Sequence, residues 1–444
     1  MLYQKLYEEI KERILDGRLR PGQKLPGKRQ LAADRGVSIN TVVSALGQLE
    51  AEGYVYSRQR SGVYVLNQKL TLREPDLWPR QETAIDQPLI DWRYRGVDGD
   101  FPRATWRKLG GQIMADRPDL FMETGDRQGE QELREALSTY LWSSRGVEAP
   151  ASHIVIDSST ESLLLTLLAM LGKPTIGLED PGFHRWGSFL HANLVRRLPL
   201  RLDEEGAVMS PSDKKEADLI FITPAHQFPT GRIMSIGRKQ ELLDWAAAHG
   251  KWIIEDDYNG EFRFEGKPIP PIKAIDGSDR VIYMGSFSAT ISPAMRVSYM
   301  VLPDRLVSRF RKNSYYLSSR VPRLTQLIVA RFMTSGSFIR HINRMRRKYA
   351  RKHQLLTDWI SEKPGLAVRG SKAGLHLLLE YRGGNRSESE LTGLAESRGM
   401  ALSPLSDYEL IPQQRRPAFV VGYGKADMDQ LRAGINLLEE VWKL

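Results

Sequence analysis

A chain of 444 residues, 41% of them hydrophobic, is long enough for two or three packed domains and is not a disordered or fibrous protein. The absence of cysteine removes disulfides and thiolate metal sites, and eight scattered histidines show no paired ligand spacing, so neither metal nor redox chemistry is expected. The charged N-terminus lacks a signal-peptide core, no segment approaches the roughly 18 apolar residues of a membrane span, and a net charge of +10 suits a polyanion partner in the cytoplasm.

Leu6, Ile10 and Ile14 recur at helical spacing with Gly17 beyond them, which predicts a first helix ended by glycine. KRQLAADR (28–35) fits a short second helix broken at Gly36. Ser38 then caps a third, in which Val42, Leu46 and Leu49 share one face up to Gly53. The alternating stretch YVYSRQRSGVYVL, turning at Ser61-Gly62, predicts a two-stranded wing. Residues 1–66 thus make a winged helix-turn-helix, with eleven Lys and Arg against seven Asp and Glu. The start of the third helix in such modules enters the major groove, so Ser38, Asn40 and Thr41 are candidates for base or phosphate contact. Lys28, Arg29, Arg58 and Arg60 are candidates for gripping phosphates, and Gly62 lets the wing tip approach the backbone. The expected partner is a double-stranded DNA operator.

Residues 67–88 are polar, proline-broken and without period, which predicts a linker. From 89 to 444 a second domain is expected. Between 150 and 302, apolar strand-like runs (HIVID, PTIGLE, DLIFITP, KWIIEDD, VIYMGS, VSYMVLP) alternate with helical ones, predicting a parallel sheet covered on both faces. Ligands in such sheets sit beyond the carboxyl ends of the strands, where ITPAHQFPTG, IEDDY and MGSFSA fall. HLLLEY, AFVVGYG and MDQLRAGINLLEEVW predict a smaller α+β lobe from about 350 to 444. The fold class expected is multidomain α/β. Before that lobe, Arg340, Arg344, Arg347 and Arg351 recur at helical spacing, either as a solvated face or as a second DNA-contacting strip.

LPGKRQLAADRGVSINTV resembles the GntR family of winged-helix repressors, departing at Gly27, where a serine cap is usual. LEDPGFHRW (178–186), TPAHQFPTGRIMS (223–235), IIEDDYNGEF (253–262) and GSFSATISPAMR (285–296) resemble fold-type I aminotransferases. The two in this order resemble the MocR/GabR branch of GntR regulators. That resemblance implies a pyridoxal 5′-phosphate (PLP) site in which Asp256 holds the pyridine nitrogen and Tyr258 reaches the ring oxygen O3′. Ser286, Ser288 and Arg296 would take the phosphate, Phe183 would lie over the ring, and His226 and Gln227 would stand near it. Arg185 would pair with the carboxylate of an amino-acid effector.

Ala289 stands where the pattern has the lysine that forms the Schiff base, and alanine has no amine to condense with an aldehyde. It is either a laboratory substitution that traps non-covalent states or the mark of a natural pseudo-enzyme. Further departures favour the second: DSSTESL (157–163), Phe183 in place of a tyrosine, and TGDRQG (124–129). Lys251, Lys267 and Lys273 lie in other motifs. The expected function is a dimeric transcription regulator, not an enzyme, that senses PLP, a B6 vitamer or a PLP–amino-acid adduct, with PLP non-covalent or absent. The rivals are an aminotransferase with a DNA-binding appendage, and a regulator whose second domain only dimerises.

Overall fold

The computed structural model describes residues 2–66, 89–94, 96–97, 100–264, 266, 269–313, 317–370 and 373–444, except the side chains of His184 and Arg185. The linker expected at 67–88 lies outside the described residues, as does Lys267. The chain forms two compact units, Met1–Asp86 and Gln87–Leu444. No helix among the described residues is long and apolar enough to cross a membrane.

The first unit contains α1 (Leu2–Leu15), α2 (Lys28–Arg35), α3 (Ile39–Ala51) and the hairpin strands β1 (Val55–Arg58) and β2 (Gly62–Val65). Leu6, Tyr7 and Ile10 of α1 pack with Val42, Ala45, Leu46 and Leu49 of α3 in one buried cluster. Each large aliphatic buried there contributes roughly 1.5–3 kcal/mol. Ser38 caps α3 by accepting from the Thr41 N–H, whereas Gly27 offers α2 no side-chain cap. The wing turn comes earlier than Ser61-Gly62. Arg58 pairs with Gly62, and the Ser61 N–H donates to the Arg58 carbonyl at 3.0 Å, so Gln59, Arg60 and Ser61 form the loop. Arg60 adopts the left-handed backbone there, with φ 58°.

The second unit opens with β3 (Ile90–Asp91), α4 (Arg103–Asp116) and α5 (Gln131–Arg145). There follow β4 (Ile154–Asp157), α6 (Thr160–Leu171), β5 (Ile176–Asp180), α7 (His184–Ala192), β6 (Arg197–Asp203) and β7 (Gly206–Val208). Next are α8 (Pro211–Glu216), β8 (Leu219–Ile222), α9 (Ile236–His249), β9 (Trp252–Asp256), β10 (Val281–Ser286) and β11 (Ser298–Val301). The main sheet has the order β4-β11-β10-β9-β8-β5-β6-β7. Its centre is parallel, as expected, but β11 runs antiparallel to both β10 and β4. Residues 287–297, which join β10 to β11, are too few for the helical crossover that a parallel neighbour requires.

After α10 (Asp304–Asn313) and α11 (Arg323–Thr334), α12 (Ser337–Ser361) runs unbroken from the large lobe into the small one. Phe338 and Ile342 near its start join the core of the large lobe, and Tyr349, Leu356 and Trp359 join the core of the small one. The small lobe holds β12 (Leu366–Arg369), β13 (His376–Tyr381), α13 (Glu388–Glu396), β14 (Met400–Ala401), β15 (Ser403–Pro404), β16 (Ala418–Gly422) and α14 (Met428–Trp442). It also takes in the start of the unit. β3 pairs with β14, and Trp92 is fully buried in the small-lobe core.

Candidate functional site

Three of the DNA-reading candidates, Lys28, Arg29 and Gly62, line one cleft of the first unit. Asn40 is exposed near the start of α3, and Ser38, also exposed, combines its cap with a 2.9 Å hydrogen bond to the Thr41 hydroxyl. Ile39 and Val43, 48% and 42% exposed, stand beside them as bare apolar groups suited to a thymine methyl. A basic cleft of about 780 Å³ separates the start of α2 from the wing and is lined by Lys24, Lys28, Arg29 and Gly62. The Arg58 guanidinium lies over the rings of Tyr56 and Tyr64, at 5.5 and 5.3 Å. Sequence reasoning missed Ile39, Val43 and Lys24. Lys24 enters because Gln23 and Leu25 hydrogen-bond to β2, bringing its side chain to the wing. The Lys24 chain packs where any Cβ on Gly62 would stand, 2.9 Å from its Cε.

In the second unit, the carboxyl ends of β4, β5, β9 and β10 and the start of β11 enclose a cavity of about 260 Å³. Asp256, Tyr258, Ser286, Ser288, Ala289, Arg296 and Phe183 all line it. Asp256 closes β9, and its carboxyl makes no hydrogen bond or ion pair with any described residue. Burial, then Asp257, Glu161 and Glu179, push it up to about 8. Ser286 closes β10 and donates to the Ser288 hydroxyl at 2.9 Å, while the Ser288 N–H returns to Ser286. Arg296 has a left-handed backbone, φ 51°, and its exposed guanidinium has no partner among the described residues. Phe183 lies flat on Phe228, with centroids 3.8 Å apart and planes 6° apart.

Three expectations fare differently. The Tyr258 hydroxyl, expected to reach a ring oxygen, donates instead to the His226 carbonyl at 2.8 Å and lies 3.1 Å from His226 Nδ1. His226 and Gln227 do not line the cavity. His226 is buried behind Tyr258, where desolvation lowers it to about 4, and Gln227 closes its own turn through Thr230. The Arg185 side chain lies outside the described residues.

Sequence reasoning missed Tyr94, Trp186 and Leu375; DSSTESL, read from the sequence as a departure that weakens a cofactor contact, places Ser159, Thr160 and Glu161 against the cavity. TGDRQG does not line it. Asp126 of that turn pairs with Arg134, and Gln128 donates to the Ser152 and Ile154 carbonyls. No lysine is among the described lining residues; Lys251 pairs with Asp218, and Lys273 with Asp276 and Asp279. On α12, Arg340, Arg344, Arg347 and Arg351 are exposed, and none pairs with a carboxylate among the described residues.

Residues 2–65 match the family described as bacterial regulatory proteins, gntR family, and residues 94–419 match aminotransferase class I and II. The uncharacterized HTH-type transcriptional regulator YdeL of Bacillus subtilis is 36% identical over 100% of this chain and 97% of its own length. The probable rhizopine catabolism regulatory protein MocR of Rhizobium meliloti is 31% identical over 99% of this chain and 94% of its own length. The chain belongs to the MocR type of gntR-family transcriptional regulators. The second unit of this regulator has the aminotransferase fold. A solved kynurenine aminotransferase from Pyrococcus horikoshii superposes with a TM-score of 0.69 at 22% identity, covering 80% of the regulator and 90% of the enzyme. The winged helix is the DNA-binding part, and the cavity lies in a fold whose enzymes use PLP.

Proposed function

We propose that residues 89–444 of this regulator dimerise and bind a B6 vitamer or its amino-acid adduct non-covalently, and that occupancy alters how residues 1–66 hold an operator. The observation that carries this reading is a carboxyl group without a protein partner, Asp256, in one cavity with two serine hydroxyls and an unpaired guanidinium. These donors and acceptors fit the cofactor's parts. Asp256 would hold the pyridine nitrogen, Ser286, Ser288 and Arg296 the phosphate, and Phe183, backed by Phe228, one flank of the ring. When bound to an enzyme, PLP supplies an electron sink for reactions at an amino acid. Here Ala289 stands at the lysine position of the family pattern, and no lysine is among the described residues that line the cavity, so these offer neither the covalent anchor nor the usual proton carrier. Binding without turnover suits a sensor, and a dimer would present two winged helices to two half-sites.

Calorimetric titration of the full chain with PLP, pyridoxamine phosphate and a preformed reduced PLP–amino-acid adduct tests the reading. Saturable binding of at least one of them, lost in Arg296→Ala, is expected. No heat with any would leave the second unit a dimerisation scaffold.

A further inference from the structure

The charges lining the cavity do not balance around a PLP aldehyde. Among the described lining residues Arg296 is the one cation, taken by the phosphate, and of the two acids Asp256 meets the pyridine nitrogen, which leaves Glu161 without a counter-charge. Glu161 sits in the first turn of α6, half-buried, and makes no hydrogen bond or ion pair with any described residue. It lies near enough to Asp256 to help raise that carboxyl. A favourable interaction with the helix dipole accounts for an acid at this position, but not for its facing a ligand cavity. The lysine that Ala289 replaces would have been the second cation. No lysine is among the described residues that line the cavity. Buried Lys239 donates to the Pro270 carbonyl at 2.7 Å, and Lys352 to Gly424 at 3.2 Å, in addition to the pairs that hold Lys251 and Lys273.

We propose that the missing cation arrives with the ligand, so that the cavity selects B6 phosphates bearing an aliphatic ammonium, pyridoxamine 5′-phosphate or a secondary-amine adduct, over the aldehyde PLP. This rests on the vitamer-binding reading above. PLP loses its covalent anchor at Ala289 and, carrying the same phosphate as the amine, brings no ammonium to a lining that holds Glu161 unpaired. Pyridoxamine phosphate needs no lysine. Its aminomethyl nitrogen takes the place of a lysine amine in the charge balance and offers three donors to the acids that line the cavity.

The test compares affinities for pyridoxamine phosphate and PLP by calorimetry on the full chain, in wild type, Glu161→Gln and Ala289→Lys. In wild type the amine should bind about tenfold or more tightly, the scale of one charge-assisted hydrogen bond. Glu161→Gln should narrow the gap several-fold by weakening the amine while leaving PLP unchanged or tighter, and Ala289→Lys should reverse the order. Equal affinities, or tighter PLP, in wild type would overturn the selection and leave the vitamer-binding reading intact. If neither ligand binds wild type or Ala289→Lys, both fall.

Discussion

Replacing Asp256 with Asn should stabilise the ligand-free protein, and do so more as pH rises. The carboxyl has an ordinary value near 3.8 and is pushed up to about 8 in the folded chain, first by burial and then by Asp257, Glu161 and Glu179. Below pH 3.8 it is protonated folded or unfolded and contributes nothing to the difference. Between 3.8 and 8 the unfolded chain ionises while the folded one does not, so stability falls with pH, and above 8 the loss is complete. At pH 7 roughly three units of that shift have been traversed, worth about 4 kcal/mol. This is a ceiling, because Asp256 faces a cavity that water enters. Asparagine keeps the shape of the neutral carboxyl and does not titrate. The assay is urea unfolding of both proteins from pH 4 to 8.5 by tryptophan fluorescence, which reports chiefly the second unit because eight of the nine tryptophans lie in it and residues 1–66 contain none. The variant should match wild type near pH 4 and exceed it by about 1–4 kcal/mol at pH 7. A gap that does not change with pH, or a variant less stable at pH 8, would mean that folding does not hold the Asp256 carboxyl in its neutral form. With vitamer present the order should invert, since a carboxylate holds a pyridinium better than an amide does.

Arg29→Ala should weaken binding to all DNA and flatten its salt dependence, whereas Asn40→Ala should cost about 1–3 kcal/mol mainly on the true operator; gel shifts at two salt concentrations separate them. Arg145→Met should destabilise the second unit by about 3–5 kcal/mol, because it strands the buried Asp257 carboxylate, which otherwise also accepts from the Tyr283 hydroxyl. Asp257→Asn added to it should recover part of that loss in the same unfolding assay. Gly27→Ser should supply the cap that α2 lacks and raise the stability of the winged helix by a few tenths of a kcal/mol in calorimetric melts.

The winged helix was legible because its signals are local. Ser38, the spacing of Val42, Leu46 and Leu49, and the alternation of the wing each act over a few residues. The wing turn was misplaced because Gly62 is the usual carrier of a positive φ, while the loop also places the non-glycine Arg60 there. In the second unit, the four motifs follow β5, β8, β9 and β10, where alternating hydrophobic runs mark strand ends. The rest of the cavity was not legible. Tyr94 and Leu375 are far apart in sequence and meet only through sheet order and the pairing of β3 with β14. The withdrawal of His226 and Gln227 depends on packing that no motif announces, a turn closed by the Gln227 amide. Likewise, the antiparallel course of β11 follows from a loop length, not from residue type.

The central claim is that ligand in the cavity changes what the winged helix does, and a ligand shifts an equilibrium only through different affinity for two states. Fluorescence anisotropy of an operator duplex, titrated with the full chain at fixed salt with and without saturating pyridoxamine phosphate, measures this directly. The operator dissociation constant should move several-fold with ligand and stay fixed in Arg296→Ala. Saturating ligand with an unchanged operator isotherm would contradict it.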